Sequence, residues 1–306
     1  MAPAPRSADA TAREGPARLV EAVESARNPD GGWGYFRGKA SRLEPTAWVA
    51  LSTSALSESA STWLAAAQGR DGWLRDNDRS PVNFGFNALA LLAVCASTAP
   101  AATSVATRLA RALVGAKGLA LPPSPAIRQD NSLQGWSWLD GTFSWAEPTA
   151  CAVLALKRAV ALGVISAADA RGRIDVGERL LVDRACAGGG WNYGNARVFG
   201  KDLPPHVPPT ALALLALQDR RDWPAVGSGL DYLSSDAHLE RSGIALALTS
   251  LCLRASDRST AAVETAMHAQ IEMSVALGNV MNMAALVAAL SGTGHHAFTL
   301  RSSVTT

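Results

Sequence analysis

GGWGYFRGKASRLEPTAWVAL, residues 31–51, joins a glycine-tryptophan loop to a proline-threonine-alanine step that opens an apolar helix. The same phrase returns as GWSWLDGTFSWAEPTACAVLAL at 135–156, and again as GGWNYGNARVFGKDLPPHVPPTALALLAL at 189–217. Trp33 stands twelve residues before Pro45, as Trp136 stands before Pro148, whereas a longer loop puts Trp191 eighteen before Pro209. Chance does not hold such spacing, so the chain is an internal repeat whose unit is a loop leading into a buried helix.

Outward from these three phrases, hydrophobic periodicity with Pro, Gly and Ser/Asp breaks divides the chain into twelve helical segments. They pair as 16–27 with 44–56, 59–68 with 85–97, 101–116 with 147–162, 167–184 with 208–219, 222–234 with 238–254, and 257–273 with 279–291. The first member of each pair is amphipathic, as in PARLVEAVESAR. The second is apolar nearly all round, as in MNMAALVAAL, and must be buried. An all-α (α/α)6 toroid follows, with six outer helices covering six inner ones over residues 16–297. Residues 1–15 and the tail 298–306 lack periodic apolar positions and are expected to be poorly packed, the first of them disordered.

Composition agrees with a helical core: 48% of residues are hydrophobic and 18% charged. The formal charge of +2 arises from interleaved signs, with no basic run able to follow phosphates, which excludes a nucleic-acid partner. Cys95, Cys151, Cys186 and Cys252 are far apart and outside any CxxC pair, so reduced, packed thiols are expected. No apolar leader opens the chain, and no stretch approaches eighteen uninterrupted apolar residues. The expected location is the cytoplasm.

The element with Gln68 and Trp73, together with the GGWG, GWSW and GGWNYG loops before PTA-type helices, resembles the repeats of squalene-hopene cyclases and protein prenyltransferase β-subunits. The resemblance covers residues 16–291 and is greatest to single-toroid bacterial proteins of that superfamily. It implies a terpenoid-cyclase-like protein that binds or transforms an isoprenoid or similar apolar substrate in a central cavity. The cyclases place their acid two residues before a threonine in a DxDDTA element, which this chain lacks. Here Glu44 stands two before Thr46, Glu147 two before Thr149, and Glu240 two before Ser242. Glu147 and Glu44 are therefore the candidate catalytic acids, since a carboxyl at a dry apolar mouth stays protonated and can donate. Trp48, Phe84, Phe86, Trp138, Phe143, Trp145 and Tyr193 are the candidate substrate-binding rings, able to stabilise a cation through their π faces.

The cyclases also use two helical domains. One is present here, so the pocket must lie within the toroid unless a second subunit joins it. The prenyltransferases' zinc ligands are missing, because no DxC is followed by a suitably placed His and His295-His296 lie in the tail; no metal is expected. No cofactor is expected beyond a weak option for Mg²⁺ at Asp76 and Asp78. Arg42, Arg79, Arg128, Arg197 and Lys201 are candidates for a rim that attracts an anionic head group. Loop 117–146 is expected to cover the rim and to hold Glu147 beside an aromatic pocket. A non-catalytic scaffold, or a carbohydrate-active toroid with a pair of cleft carboxylates, are the alternatives.

Overall fold

Six inner helices form the inner ring: α2 (Leu43–Ser52), α4 (Phe84–Ala96), α6 (Ala146–Ala161), α8 (Val207–Ala216), α10 (Gly243–Ala255) and α12 (Val280–Leu290), each beginning within one residue of its expected start except α10, which begins five residues after the expected 238. The computed structural model describes residues 8–236 and 239–300. Each inner helix packs on the next, and α12 packs on α2, so the ring closes. Six outer helices surround it: α1 (Ala8–Ser25), α3 (Ser54–Ala66), α5 (Ala102–Gly115), α7 (Ala167–Asp183), α9 (Pro224–Asp236) and α11 (Ala261–Leu277). A two-stranded hairpin, β1 (Arg197–Val198) with β2 (Lys201–Asp202), projects from the loop before α8. The fold is the expected (α/α)6 toroid.

The boundaries have local causes. Asn83, Ser166 and Asn279 cap α4, α7 and α12 by accepting a backbone N–H with their side chains. Thr53 takes an extended conformation and caps α3 by accepting from the Leu56 N–H, which ends α2 at Ser52 instead of carrying it to residue 56. The second outer helix accordingly starts at Ser54, ahead of the expected 59. Gly278 closes α11 with φ +66°, a left-handed turn that suits glycine.

The tryptophan loops are clasped to the inner helices by one repeated device. The Trp33, Trp136 and Trp191 N–H groups donate to Thr46, Thr149 and Thr210 Oγ1 at 2.9, 3.0 and 2.8 Å, and each hydroxyl donates back to the same tryptophan's carbonyl. The three indoles are fully buried and give their Nε1–H to the carbonyls of Val23, Leu113 and Leu181 on the preceding outer helices. Each loop thus ties an outer helix to an inner one while burying a large apolar area. The second hairpin carries the same clasp in other residues: Leu74 N–H donates to Asn87 Oδ1 at 2.9 Å, and Asn87 Nδ2 donates to Leu74 O at 3.0 Å. Thr46, Asn87, Thr149 and Thr210 are each the fourth residue of their helix.

Gln68 braces the outer ring, its amide Nε2 donating to Gly72 O at 2.8 Å and Val105 O on α5 at 3.1 Å, while Arg108 donates to its carbonyl oxygen. Trp73 is only partly buried and tilts on Phe84 at 5.1 Å.

Two terminal expectations change. Helix α1 begins at Ala8, inside the segment expected to be disordered, and residues 1–7 lie outside the described ones. At the other end α13 (Thr293–Phe298) packs against α2, α4, α6, α10 and α12, with Phe298 1% exposed. The tail is therefore built into the core as far as Leu300, since its Ala297 and Phe298 find the apolar interior of the ring; residues 301–306 lie outside the described ones.

Candidate functional site

The second residue of each inner helix faces one central cavity. These six are Glu44, Gly85, Glu147, Pro208, Ile244 and Met281. Their convergence shows that all six N-termini share one rim. Below them the helical period brings in Trp48, Leu89, Cys151, Leu212 and Leu248, and then Leu92 and Leu154. From second to ninth residue the wall descends about 10 Å at 1.5 Å per residue. Phe298 lies across the far end, and the space enclosed is about 290 Å³.

Two of the six rim positions carry carboxyls. Desolvation pushes the Glu147 carboxyl up to about 7, and the charge of Glu44 adds to the rise. Glu147 is partly buried and has no hydrogen-bond partner among the described residues. Glu44 is also raised, first by burial and further by Asp76, although Tyr35 opposes this by donating its hydroxyl to Glu44 Oε2 at 2.5 Å. Burial and the neighbouring Glu44 push the Tyr35 phenol above its ordinary range, which keeps it a donor. The two acids thus differ: Glu44 is hydrogen-bonded, while Glu147 stands bare against apolar walls.

Between them the wall is made by an indole. Trp138 reaches over Gly85 so closely that a Cβ there would lie 2.5 Å from its Cζ3. The Trp138 ring meets Phe86 edge-on at 5.9 Å, and the Trp138 carbonyl accepts the Phe84 N–H at 2.9 Å, fastening loop 117–146 to the start of α4. Tyr193, from the next loop, completes the mouth, and its carbonyl accepts the Ala146 N–H at 3.1 Å. The raised carboxyl of Glu147, the apolar wall and the rings together form a chamber suited to an apolar ligand carrying or developing positive charge.

Of the residues singled out from sequence, Glu44, Glu147, Trp48, Phe86, Trp138 and Tyr193 line this cavity. Phe84, Phe143 and Trp145 do not. Phe84 is one residue before the rim position, about 100° round the helix, and is buried against Trp73. Phe143 and Trp145 tilt on one another at 4.8 Å, and Phe143 lines a separate small cavity with Leu119, Leu121 and Arg184. Glu240 precedes α10 in a loop; the wall there is Ile244.

Asp76 spends both oxygens on protein, accepting the Leu43 N–H at 2.6 Å and pairing with Arg42 at 3.2 Å, and so caps α2. Asp76 and Asp78 border a shallow polar cleft apart from the central cavity. Among the described residues no group of three His, Cys, Asp or Glu could hold a metal ion. Of the basic rim candidates, Arg42 pairs with Asp76 and Arg197 with Asp202. All four cysteines are free thiols, and Cys151 faces the cavity with its thiol pushed up by burial. No helix among the described residues is long and apolar enough to cross a membrane.

Comparison with known proteins gives the fold its class. Neither a protein-family model nor a curated protein sequence matches the chain. Solved structures do, and they show an α/α toroid, the fold shared by type II terpene cyclases and by glycoside hydrolases. The type II terpene cyclase MstE from Scytonema is similar at 17% identity and a TM-score of 0.57, over 93% of this chain and 98% of that one. A variant of it, in complex with geranylgeranyl dihydroxybenzoate as substrate, gives 16% identity and a TM-score of 0.61 over 93% and 98%. An inactive variant of an alpha-1,6-mannanase of Salegentibacter, in complex with alpha-1,6-mannotriose, is similar at 12% identity and a TM-score of 0.61, over 95% and 100%.

Sequence reasoning missed Ile244, Met281 and Phe298 at the cavity. The first two were hidden because the expected starts at 238 and 279 lie six and two residues ahead of them, whereas the other four expected starts fall on the rim residue itself; Phe298 carries no periodic signal.

Proposed function

We propose that the protein binds an isoprenoid or similarly apolar unsaturated chain in the central shaft, and that Glu147 protonates it. The carrying observation is a carboxyl raised to about 7, without a hydrogen-bond partner among the described residues, at the mouth of an apolar aromatic chamber. In the proposed step the Glu147 O–H bond breaks and its proton forms a C–H bond to one carbon of an alkene. The alkene's π pair makes that bond and leaves a cation on the adjacent carbon. Intramolecular attack by a further alkene closes a ring, and loss of a proton from the final cation to a carboxylate restores the acid. The sum is an isomerisation without added reactant. The rings of Trp48, Phe86, Trp138 and Tyr193 stabilise the cation, and Glu44, oriented by Tyr35, places a second carboxyl beside it. The likeness to a terpene cyclase structure holding a prenylated substrate supports this reading at the level of the fold.

A carbohydrate-active reading draws on the two carboxyls at one mouth and on the mannanase likeness. The walls speak against it, because leucines, Ile244 and Met281 offer a sugar no donors or acceptors. The open chamber likewise speaks against a scaffold with a filled interior. The test is product analysis by mass spectrometry after incubation with geranylgeraniol or geranylgeranyl dihydroxybenzoate. A cyclised isomer of unchanged mass is expected from the parent, and at least a 100-fold slower reaction from Glu147→Gln with unchanged circular dichroism. Turnover by that variant at the parent rate would remove the general acid, and sugar release from mannan would favour the glycosidase.

A further inference from the structure

The segment after the sixth hairpin closes the toroid at the end opposite the carboxyls. Helix α13 crosses five inner helices, and its last residue, Phe298, lines the cavity while stacking on Trp48 at 5.7 Å with ring planes 19° apart. The backbone around it is locked from several directions. Gln218, just beyond α8, donates from Nε2 to Phe298 O at 2.8 Å and accepts the Leu300 N–H at 2.9 Å. Arg158, in the last turn of α6, donates to Thr299 O at 3.1 Å. A buried amide that engages both the Phe298 carbonyl and the Leu300 N–H fixes the position of this segment. The ring of Phe298 is therefore held in one place on the cavity wall, stacked on Trp48, with its backbone tied to the C-terminal ends of α6 and α8.

We infer that Phe298 is the specificity-determining floor of the shaft: with the polar end of the ligand at the carboxyl rim, this ring sets the longest prenyl chain that fits. The inference rests on the chain-binding reading above. Chemistry sets the size of the step. Phe298→Ala removes the six ring carbons, and one more isoprene unit brings five, so the longest accepted chain grows by one unit. Phe298→Trp fills the floor and shortens it by one.

The experiment titrates the parent, Phe298→Ala, Phe298→Leu and Phe298→Trp with geraniol, farnesol and geranylgeraniol, following the fluorescence of the wall tryptophans Trp48 and Trp138. The parent is expected to show a drop in affinity of at least tenfold between two successive alcohols. That drop moves one homologue longer in the alanine variant and one shorter in the tryptophan variant, with leucine between the parent and alanine. Should the alanine variant fail to fold by circular dichroism, the leucine and tryptophan variants decide. The same cut-off in every folded variant, or an equal loss of affinity at all three lengths, would overturn the floor role while leaving chain binding intact. No binding of any alcohol by parent or variants would overturn the chain-binding reading, and the floor with it.

Discussion

Replacing Glu147 by glutamine should change how stability depends on pH, whatever the substrate. The folded state holds this proton up to about pH 7, whereas the unfolded chain releases it near the ordinary 4.5. Between those values the native protein binds more protons than the unfolded chain, so its stability falls as pH rises through the window and levels off above 7. At 1.36 kcal/mol per pH unit the full rise corresponds to at most about 3 kcal/mol. Because Glu147 still reaches the mouth and is only partly buried, about 1 to 3 kcal/mol is the realistic span. Glutamine keeps the shape and has no proton to lose, so the variant should match the parent near pH 4.5 and exceed it by that amount at pH 8. Urea unfolding of both proteins at pH 4.5, 5.5, 6.5, 7.5 and 8.5 measures the difference directly. Glu44, raised in the same direction, leaves a residual slope in both proteins. Parallel stability curves for parent and variant across the whole range would refute the placement of a desolvated acid at this position. The same titration predicts catalysis: activity that needs the protonated acid should decline above about pH 7, and a rate rising through pH 8 would exclude Glu147 as its donor.

Trp136→Ala should cost about 3 to 5 kcal/mol in urea unfolding, because the indole is fully buried, donates to Leu113 O and carries the Arg173 guanidinium 4.2 Å above its ring. Trp73→Ala, partly exposed, should cost roughly half as much or less, and equal costs would mean that the clasped tryptophans carry no special weight. Gly85→Ala should displace the Trp138 indole, since the new Cβ would fall 2.5 Å from Cζ3, and lower ligand affinity with little loss of fold; unchanged Trp138 fluorescence and affinity would show that the indole does not rest there.

The toroid was legible because a recurring loop-helix phrase fixes both the unit and its direction, and six such units with apolar second helices can bury those helices only in a ring. Function was less legible, and the reason is angular. Glu147 and Glu44 were recoverable from their distance to a threonine, but Phe84 sits one residue from the rim and points elsewhere, while Trp145, just ahead of α6, packs on Phe143 instead of lining the cavity. Nearness in sequence to a helix start does not give the face. The second hairpin hid its membership for another reason: Leu74 and Asn87 form the clasp by different chemical groups, so the spacing of thirteen survives where the residue types do not. Phe298 was invisible because it acts alone. A single aromatic in a short polar tail has no period to reveal that it enters a core thirteen helices deep in the chain.

The closure of the ring has a bearing on how the chamber comes into being. Helix α12 packs on α1 and α2 across more than two hundred residues of chain, and Phe298 reaches Trp48 over a still longer separation. Contacts that distant form slowly and late, because their loops must be gathered before any attraction is gained. Until the sixth hairpin is made, the flanks of α2 and α10 that α12 covers lack their partner. Only after the sixth hairpin has emerged can the wall be completed, and only after Leu300 can Gln218 seal its base. Completion of the cavity wall thus arrives as one late event, after residue 300 has been made.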